Sequence, residues 1–198
     1  MKKNILLLAI ALISAPFTFA QSLWNADPAH SNARFSVEHL GLAFVDGEFT
    51  SMQGSVTTKS DDDFNQAVFS FSIDVNSIHT RVEDRDNHLK SEDFFHVEKY
   101  PTMVLSDAVL THKRKNNYTL TGNLTIRGVT QKITFDVVQN NGIITDPWGL
   151  TRAGFTAKTT INRKDFNINY GNKLPSGIDD VASQVDIVVN IEIVKEEE

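Results

Sequence analysis

Ala67-Val68-Phe69-Ser70-Phe71-Ser72-Ile73-Asp74-Val75 places Ala67, Phe69, Phe71, Ile73 and Val75 on one parity, with Ser70, Ser72 and Asp74 on the other. A period of two is the pattern of a strand with one face toward a core and one toward water. Outward from this stretch the alternation recurs. Tyr118, Leu120, Leu124 and Ile126 oppose Thr119, Thr121, Asn123 and Thr125. Ile133, Phe135 and Val137 follow, then Ala153, Phe155, Ala157 and Ile161, and finally Val185, Ile187, Val189, Ile191 and Ile193. Phe35 and Val37 begin the series.

These runs predict about eight strands, near 31–39, 43–57, 66–76, 102–112, 117–127, 131–140, 151–162 and 183–194. Lys115-Asn116-Asn117, Arg127-Gly128-Val129-Thr130 and Asn140-Asn141-Gly142 carry hairpin signals between them. Long strands joined by short turns point to an all-β fold, an eight-stranded antiparallel meander closed into a barrel, because closure removes exposed edges. A barrel of that size either fills itself with side chains or holds one small ligand.

One segment breaks the alternation: Arg85-Asp86-Asn87-His88-Leu89-Lys90-Ser91-Glu92-Asp93-Phe94-Phe95-His96. It reads as a short helical insert near 84–95. Asp86 and Lys90 have the spacing of an i,i+4 ion pair, and Ser91 is placed to cap a second turn. Tyr100-Pro101 then restores extended backbone. A charged turn that delivers Phe94-Phe95 suits a pair of aromatics helping to close the mouth of a hydrophobic cavity. A longer loop over 163–181 is expected at one end of the barrel.

The chain has 198 residues, and its start reads as a secretory leader. Lys2-Lys3 is a basic opening, Ile5 to Ile13 is apolar, and Ala20 is the expected cleavage position before Gln21. Residues 21–198 then form one domain. Without Lys2 and Lys3 the 19 basic side chains become 17 against 25 acidic ones, a formal charge of −8. That balance speaks against nucleic acid, whose usual footprint is a basic face. There is no cysteine, which removes a thiolate metal site, a cysteine nucleophile and a lipid-modified anchor. The product is expected to be periplasmic or secreted, meeting a membrane only transiently, with a homodimer left open.

Thirteen phenylalanines mark the interior. The candidate ligand-binding set begins with Phe35, Val37, Phe69, Phe71 and Ile73 on the early strands. The insert adds His88, Leu89, Phe94, Phe95 and, just after it, Tyr100. Phe135 and Phe155 complete the set from later strands. His88 is kept as a polar group near the mouth. The six histidines show no tight ligand spacing, so no metal is expected, and no catalytic motif is visible.

With these residues in hand, the chain resembles the YceI-like, polyisoprenoid-binding family of exported bacterial proteins. The resemblance rests on Asp27-Pro28-Ala29-His30-Ser31, on His88-Leu89-Lys90-Ser91-Glu92-Asp93-Phe94-Phe95, on Gly122-Asn123-Leu124-Thr125-Ile126-Arg127-Gly128-Val129-Thr130, and on Arg163-Lys164-Asp165-Phe166. It implies a lipocalin-like barrel binding a long-chain amphipathic lipid, a polyisoprenoid or isoprenoid quinone, for transport, storage or sequestration. No other cofactor is implied. Fatty acids or fatty amides are the alternative cargo; a small membrane β-barrel and a lipid-processing enzyme are less favoured. The family pattern typically places glycine after the Arg-x-Asp-Phe run, whereas Asn167 stands there in this chain.

Overall fold

A computed structural model describes residues 21–197; the leader read over residues 1–20 lies outside them, as does Glu198. The first strands are β1 (Ser22–Ala26), β2 (Asn32–His39), β3 (Ala43–Phe49), β4 (Met52–Thr58), β5 (Val68–Asp74) and β6 (Ile78–His79). The one α-helix among the described residues, α1 (Glu83–Lys90), precedes β7 (Thr102–Arg114), β8 (Asn117–Ile126), β9 (Val129–Thr145), β10 (Thr151–Asn162) and β11 (Val181–Lys195). Every pairing is antiparallel, and β1 bonds to both β4 and β11, which closes the sheet.

The result is an eight-stranded barrel once two interruptions are recognised. β1 and β2 together occupy one position in the ring, between β11 and the interrupted pair β3–β4. The first interruption falls at Asp27-Pro28, where proline has no N–H for a ladder and Asp27 N bonds to Glu192 O at 2.8 Å. The second, at Thr50-Ser51, is patched by Ser77: its carbonyl accepts from Thr50 N at 3.2 Å and its hydroxyl accepts from Ser51 N at 3.1 Å. The expected strand at 43–57 is therefore two strands, and β1 is an addition to the sequence reading.

Of two left-handed pairs, one ends a strand and the other, expected as a hairpin turn, does not. Leu40 (φ +59°) and Gly41 (φ +68°) form a tight left-handed turn joining β2 to β3. Asn141 (φ +51°) and Gly142 (φ +76°) have a similar local conformation but do not end a strand. Asn140 pairs with Gly154 and Ile143 with Ala153, so the two residues between are a bulge inside β9. The chain reverses only at Asp146–Leu150, where Asp146 Oδ1 accepts from the amides of Trp148 and Leu150, each at 2.9 Å.

The helical insert is shorter than its sequence span and ends at Lys90. No second helical turn follows, but the Ser91 hydroxyl accepts from Asp93 N at 3.4 Å while donating back to His88 O at 2.8 Å, and residues 92–95 continue as turns. Asp86 is no surface partner of Lys90 either. It is buried and accepts from Thr80 N at 2.8 Å and Thr80 Oγ1 at 2.5 Å. A buried amide and hydroxyl facing a carboxylate outcompete a solvent-exposed ion pair worth a few tenths of a kcal/mol, ~0.3–0.5.

The interior divides along the barrel axis. At one end Trp24, Phe64 and Phe155 are each 0–2 % exposed and packed ring against ring. At the other end, Val185, Ile187 and Val189 of β11 point inward yet are only half-buried, because they border open space.

Candidate functional site

The open space is a cavity of about 360 Å³ in the half of the barrel capped by α1 and the 163–181 loop. Its wall is almost wholly apolar. Phe35 and Val37 of β2, Phe69, Phe71 and Ile73 of β5, Phe135 of β9 and the inward β11 residues line it. Alternation explains the wall: each strand that reads apolar on one parity turns that parity inward.

Its floor is an aromatic stack. Phe69 meets Phe155 edge-on at 5.6 Å between ring centres; Phe155 meets Phe64 at 5.0 Å, and Phe64 meets Trp24 at 5.1 Å. Its mouth is polar. Glu38 and His39 at the end of β2, Arg85 and His88 of α1, and Tyr170 of the long loop surround it.

The insert is held over the mouth by Thr80. Besides its bonds to Asp86, Thr80 Oγ1 accepts from Arg85 Nε at 2.8 Å and Thr80 O accepts from Arg85 Nη2 at 2.7 Å. Burial opposes ionisation of Asp86, but the hydroxyl and amide of Thr80, aided by His79, hold its carboxyl below the ordinary carboxylate range. Leu89 and Phe95 then reach the cavity wall, and Phe95 meets Phe49 edge-on at 5.7 Å. Phe94 and His88 meet Tyr170, at 4.7 and 4.9 Å between ring centres. His88 Nε2 is 3.0 Å from Asp93 Oδ2 on the solvent side.

The long loop is organised by Arg163, which is 5 % exposed. Its Nε donates to Ala182 O at 2.9 Å, and Nη1 and Nη2 donate to Ile168 O and Val181 O, both at 2.8 Å. Burial lowers the pKa of this guanidinium, against the opposing pull of Asp180 and Asp179. Asn167 sits at φ +60°, the left-handed conformation that glycine adopts freely and asparagine tolerates. The departure from the family pattern at this position thus keeps a left-handed backbone.

Ten of the twelve residues singled out from sequence border the cavity: Phe35, Val37, Phe69, Phe71, Ile73, His88, Leu89, Phe94, Phe95 and Phe135. Phe155 and Tyr100 do not. Phe155 is sealed in the floor stack behind Phe69, while Tyr100 lies against Gly128 and His96. Sequence reasoning passed over Tyr170, Phe166 and the inward β11 residues. The β11 alternation was legible, but weighting aromatics hid its aliphatic share of the wall. Nothing local marked Tyr170.

A second polar cluster lies at the opposite end, where β1 breaks from β2. Arg152 Nη1 bonds Asp27 Oδ2 at 2.8 Å and Glu192 Oε1 at 2.7 Å, while its Nε bonds Asp146 Oδ2 at 2.5 Å. His30 Nδ1 adds a contact to Asp27 Oδ2 at 2.9 Å. The His30 hydrogen bond and then the Arg152 guanidinium lower the Asp27 carboxyl to about 2. Asp27, His30 and Glu192 stand close enough together to share an ion, but the guanidinium already brings positive charge to that point. The cluster reads as a structural clasp.

Residues 24–193 match the YceI-like domain family. A UPF0312 protein of Enterobacter sp. (strain 638) is 33% identical over 203 residues, covering 99% of each chain. Among solved structures, BcnA of Burkholderia cenocepacia superposes with a TM-score of 0.67 at 23% identity, over 84% of this chain and 98% of BcnA. A polyisoprenoid-binding domain from Saccharophagus degradans gives a TM-score of 0.61 at 14% identity, over 87% of this chain and 98% of that domain. At those identities the two structures speak for the fold.

Proposed function

This chain belongs to the YceI-like domain family, and from that premise we propose that its barrel binds one long-chain amphipathic lipid, a polyisoprenoid or isoprenoid quinone, as a carrier or store. The observation that carries the proposal is the 360 Å³ cavity with an almost wholly apolar wall and most of its polar lining residues at the mouth. Such a container suits a ligand with a long greasy tail and a small polar head. About ten tail carbons removed from water contribute on the order of 8 kcal/mol before ordering costs are subtracted. The polyisoprenoid-binding description of the Saccharophagus degradans domain is consistent with the same cargo.

The leader-like start, with Lys2-Lys3 and the apolar run to Ile13, supports export to the periplasm or beyond. There the protein would meet a membrane only while exchanging its ligand. Binding without turnover fits the mouth: His88 is paired with Asp93 toward solvent instead of being aimed into the cavity by a buried partner.

Organic extraction of protein released by osmotic shock, followed by mass spectrometry, tests the reading. A long-chain lipid near one per protein is expected, and its structure separates isoprenoids from fatty acids or amides. Repeated preparations free of any long-chain lipid would overturn the proposal.

A further inference from the structure

We infer that Arg85 is the head-group residue of the cavity: its uncommitted guanidinium nitrogen takes an acceptor oxygen of the bound lipid's head, from a carboxylate, a phosphate or a carbonyl. This rests on the lipid-binding reading and adds to it the chemistry of the head and the side chain that selects it.

Two arginines border the cavity from the segments that cap its mouth, Arg85 on α1 and Arg163 at the start of the long loop. In a chain with 25 acidic side chains against 19 basic ones, an arginine is expected to find a carboxylate. Arg152 at the closed end finds three. Neither mouth arginine does: among the described residues, no carboxylate comes within ion-pair distance of either guanidinium. Arg163 is buried and spends its donors on three backbone carbonyls, with Asp180 and Asp179 acting on it only through space. Arg85 spends Nε on Thr80 Oγ1 at 2.8 Å and Nη2 on Thr80 O at 2.7 Å. Asp86, beside it in sequence, is taken up by the same threonine and by His79 at 3.5 Å.

Arg85 Nη1 is thus left without a hydrogen-bond partner among the described residues, on a side chain that borders an almost wholly apolar hollow. Two bonds to the fully buried Thr80 fix the plane of the guanidinium. The third nitrogen is therefore held in place before a ligand arrives, which lowers the ordering cost of binding. A guanidinium donates and never accepts, so the partner it suits is an oxygen with free lone pairs. An anionic oxygen makes a bond roughly twice as strong as a neutral one. An ammonium head would meet a fixed cation there. The lining holds one carboxylate, Glu38, and that residue is exposed at the end of β2.

The test holds the tail constant and varies the head: displacement of the neutral probe N-phenyl-1-naphthylamine at neutral pH by hexadecanoic acid, hexadecanamide and hexadecylamine. Wild type should bind the acid roughly ten- to a hundredfold more tightly than the amine, the factor expected for a hydrogen bond to a charged group, with the amide between them. In Arg85→Met, checked for folding by circular dichroism, the acid should lose most of that advantage while the amine holds its affinity. Arg85→Lys, which keeps the charge, should retain part of the preference. An acid preference that persists in folded Arg85→Met, whether or not all three lipids weaken together, would leave Arg85 only clamping the insert and overturn the inference. A wild type that binds the amine as tightly as the acid would overturn it too, and that result needs no variant to fold. Failure of all three to displace the probe from wild type would instead defeat the lipid-binding reading, and this inference with it.

Discussion

Phe94 of the helical insert and Tyr170 of the 163–181 loop lie 4.7 Å apart, ring centre to ring centre, and join the two structures that border the cavity mouth. Phe94 is 8 % exposed, whereas Tyr170 remains 41 % exposed. The pair therefore behaves as a clasp, with one half anchored in the core and the other able to swing away.

Tyr170→Ala should speed ligand loss with little change in stability. An aromatic pair contributes about 0.5–1.5 kcal/mol beyond its buried area, which predicts dissociation roughly two- to tenfold faster. Stopped-flow release of a fluorescent fatty acid measures this. An unchanged release rate would mean that the clasp does not gate the mouth.

Gly47→Ala should shrink the cavity. A Cβ at this position collides with the Phe35 ring and comes within 2.8 Å of the Thr80 methyl group. Thr80 is fixed by Asp86 and Arg85, so the Phe35 ring is expected to yield, toward the cavity that it lines. Overpacking of this kind costs about 1–3 kcal/mol. The expected result is weaker binding of long-chain fatty acids, read by displacement of bound anilinonaphthalene sulfonate, together with a lower unfolding midpoint.

Asp86→Ala should loosen α1. It leaves the Thr80 amide and hydroxyl without their acceptor in a buried site, at a cost of about 1–3 kcal/mol. Because the folded carboxyl titrates below its unfolded value, its contribution is complete above the unfolded pKa, about 4, and fades as pH falls through the folded one. Urea unfolding of both proteins at neutral and acid pH checks the sign: the gap between wild type and variant should narrow in acid.

The Arg152 clasp adds a second acid-sensitive element. Asp27 is lowered to about 2, so its contribution, on the order of 1–2 kcal/mol, should be lost between about pH 4 and 2. His30 titrates above its ordinary value, so its smaller contribution is present in acid and lost as pH rises through the raised pKa. Arg152→Met strands Asp146, Asp27 and Glu192 together and should cost about 3 kcal/mol or more at neutral pH. Calorimetric melting from pH 2 to 8 would show this as a deficit that shrinks in acid, where the carboxylates protonate.

The strand faces were legible because alternation is a property of the chain itself: a residue's parity decides its side of the sheet wherever the strand pairs. For that reason six wall residues on the strands could be named from sequence, and the insert, which supplies His88, Leu89, Phe94 and Phe95, was found as the place where the period failed. Asn141-Gly142 and Asp86 show where such reading ends. The first pair has a turn-like conformation, and only the partner strand, running past it from Ala153 to Gly154, makes it a bulge. Asp86 has the spacing of a surface ion pair, and only the neighbouring Thr80 backbone draws it inside.

Residue order alone thus determined a closed antiparallel sheet with an apolar inner face, since side-chain direction and edge avoidance are local consequences of the pattern. The tertiary structure decided how that face is used. Trp24, Phe64 and Phe155, separated by up to 131 positions along the chain, meet to fill one end, while Tyr170 meets Phe94 at the other. Whether inward side chains touch across a barrel or leave a hollow depends on volumes contributed from opposite walls, and those distances exist only once the ring has closed.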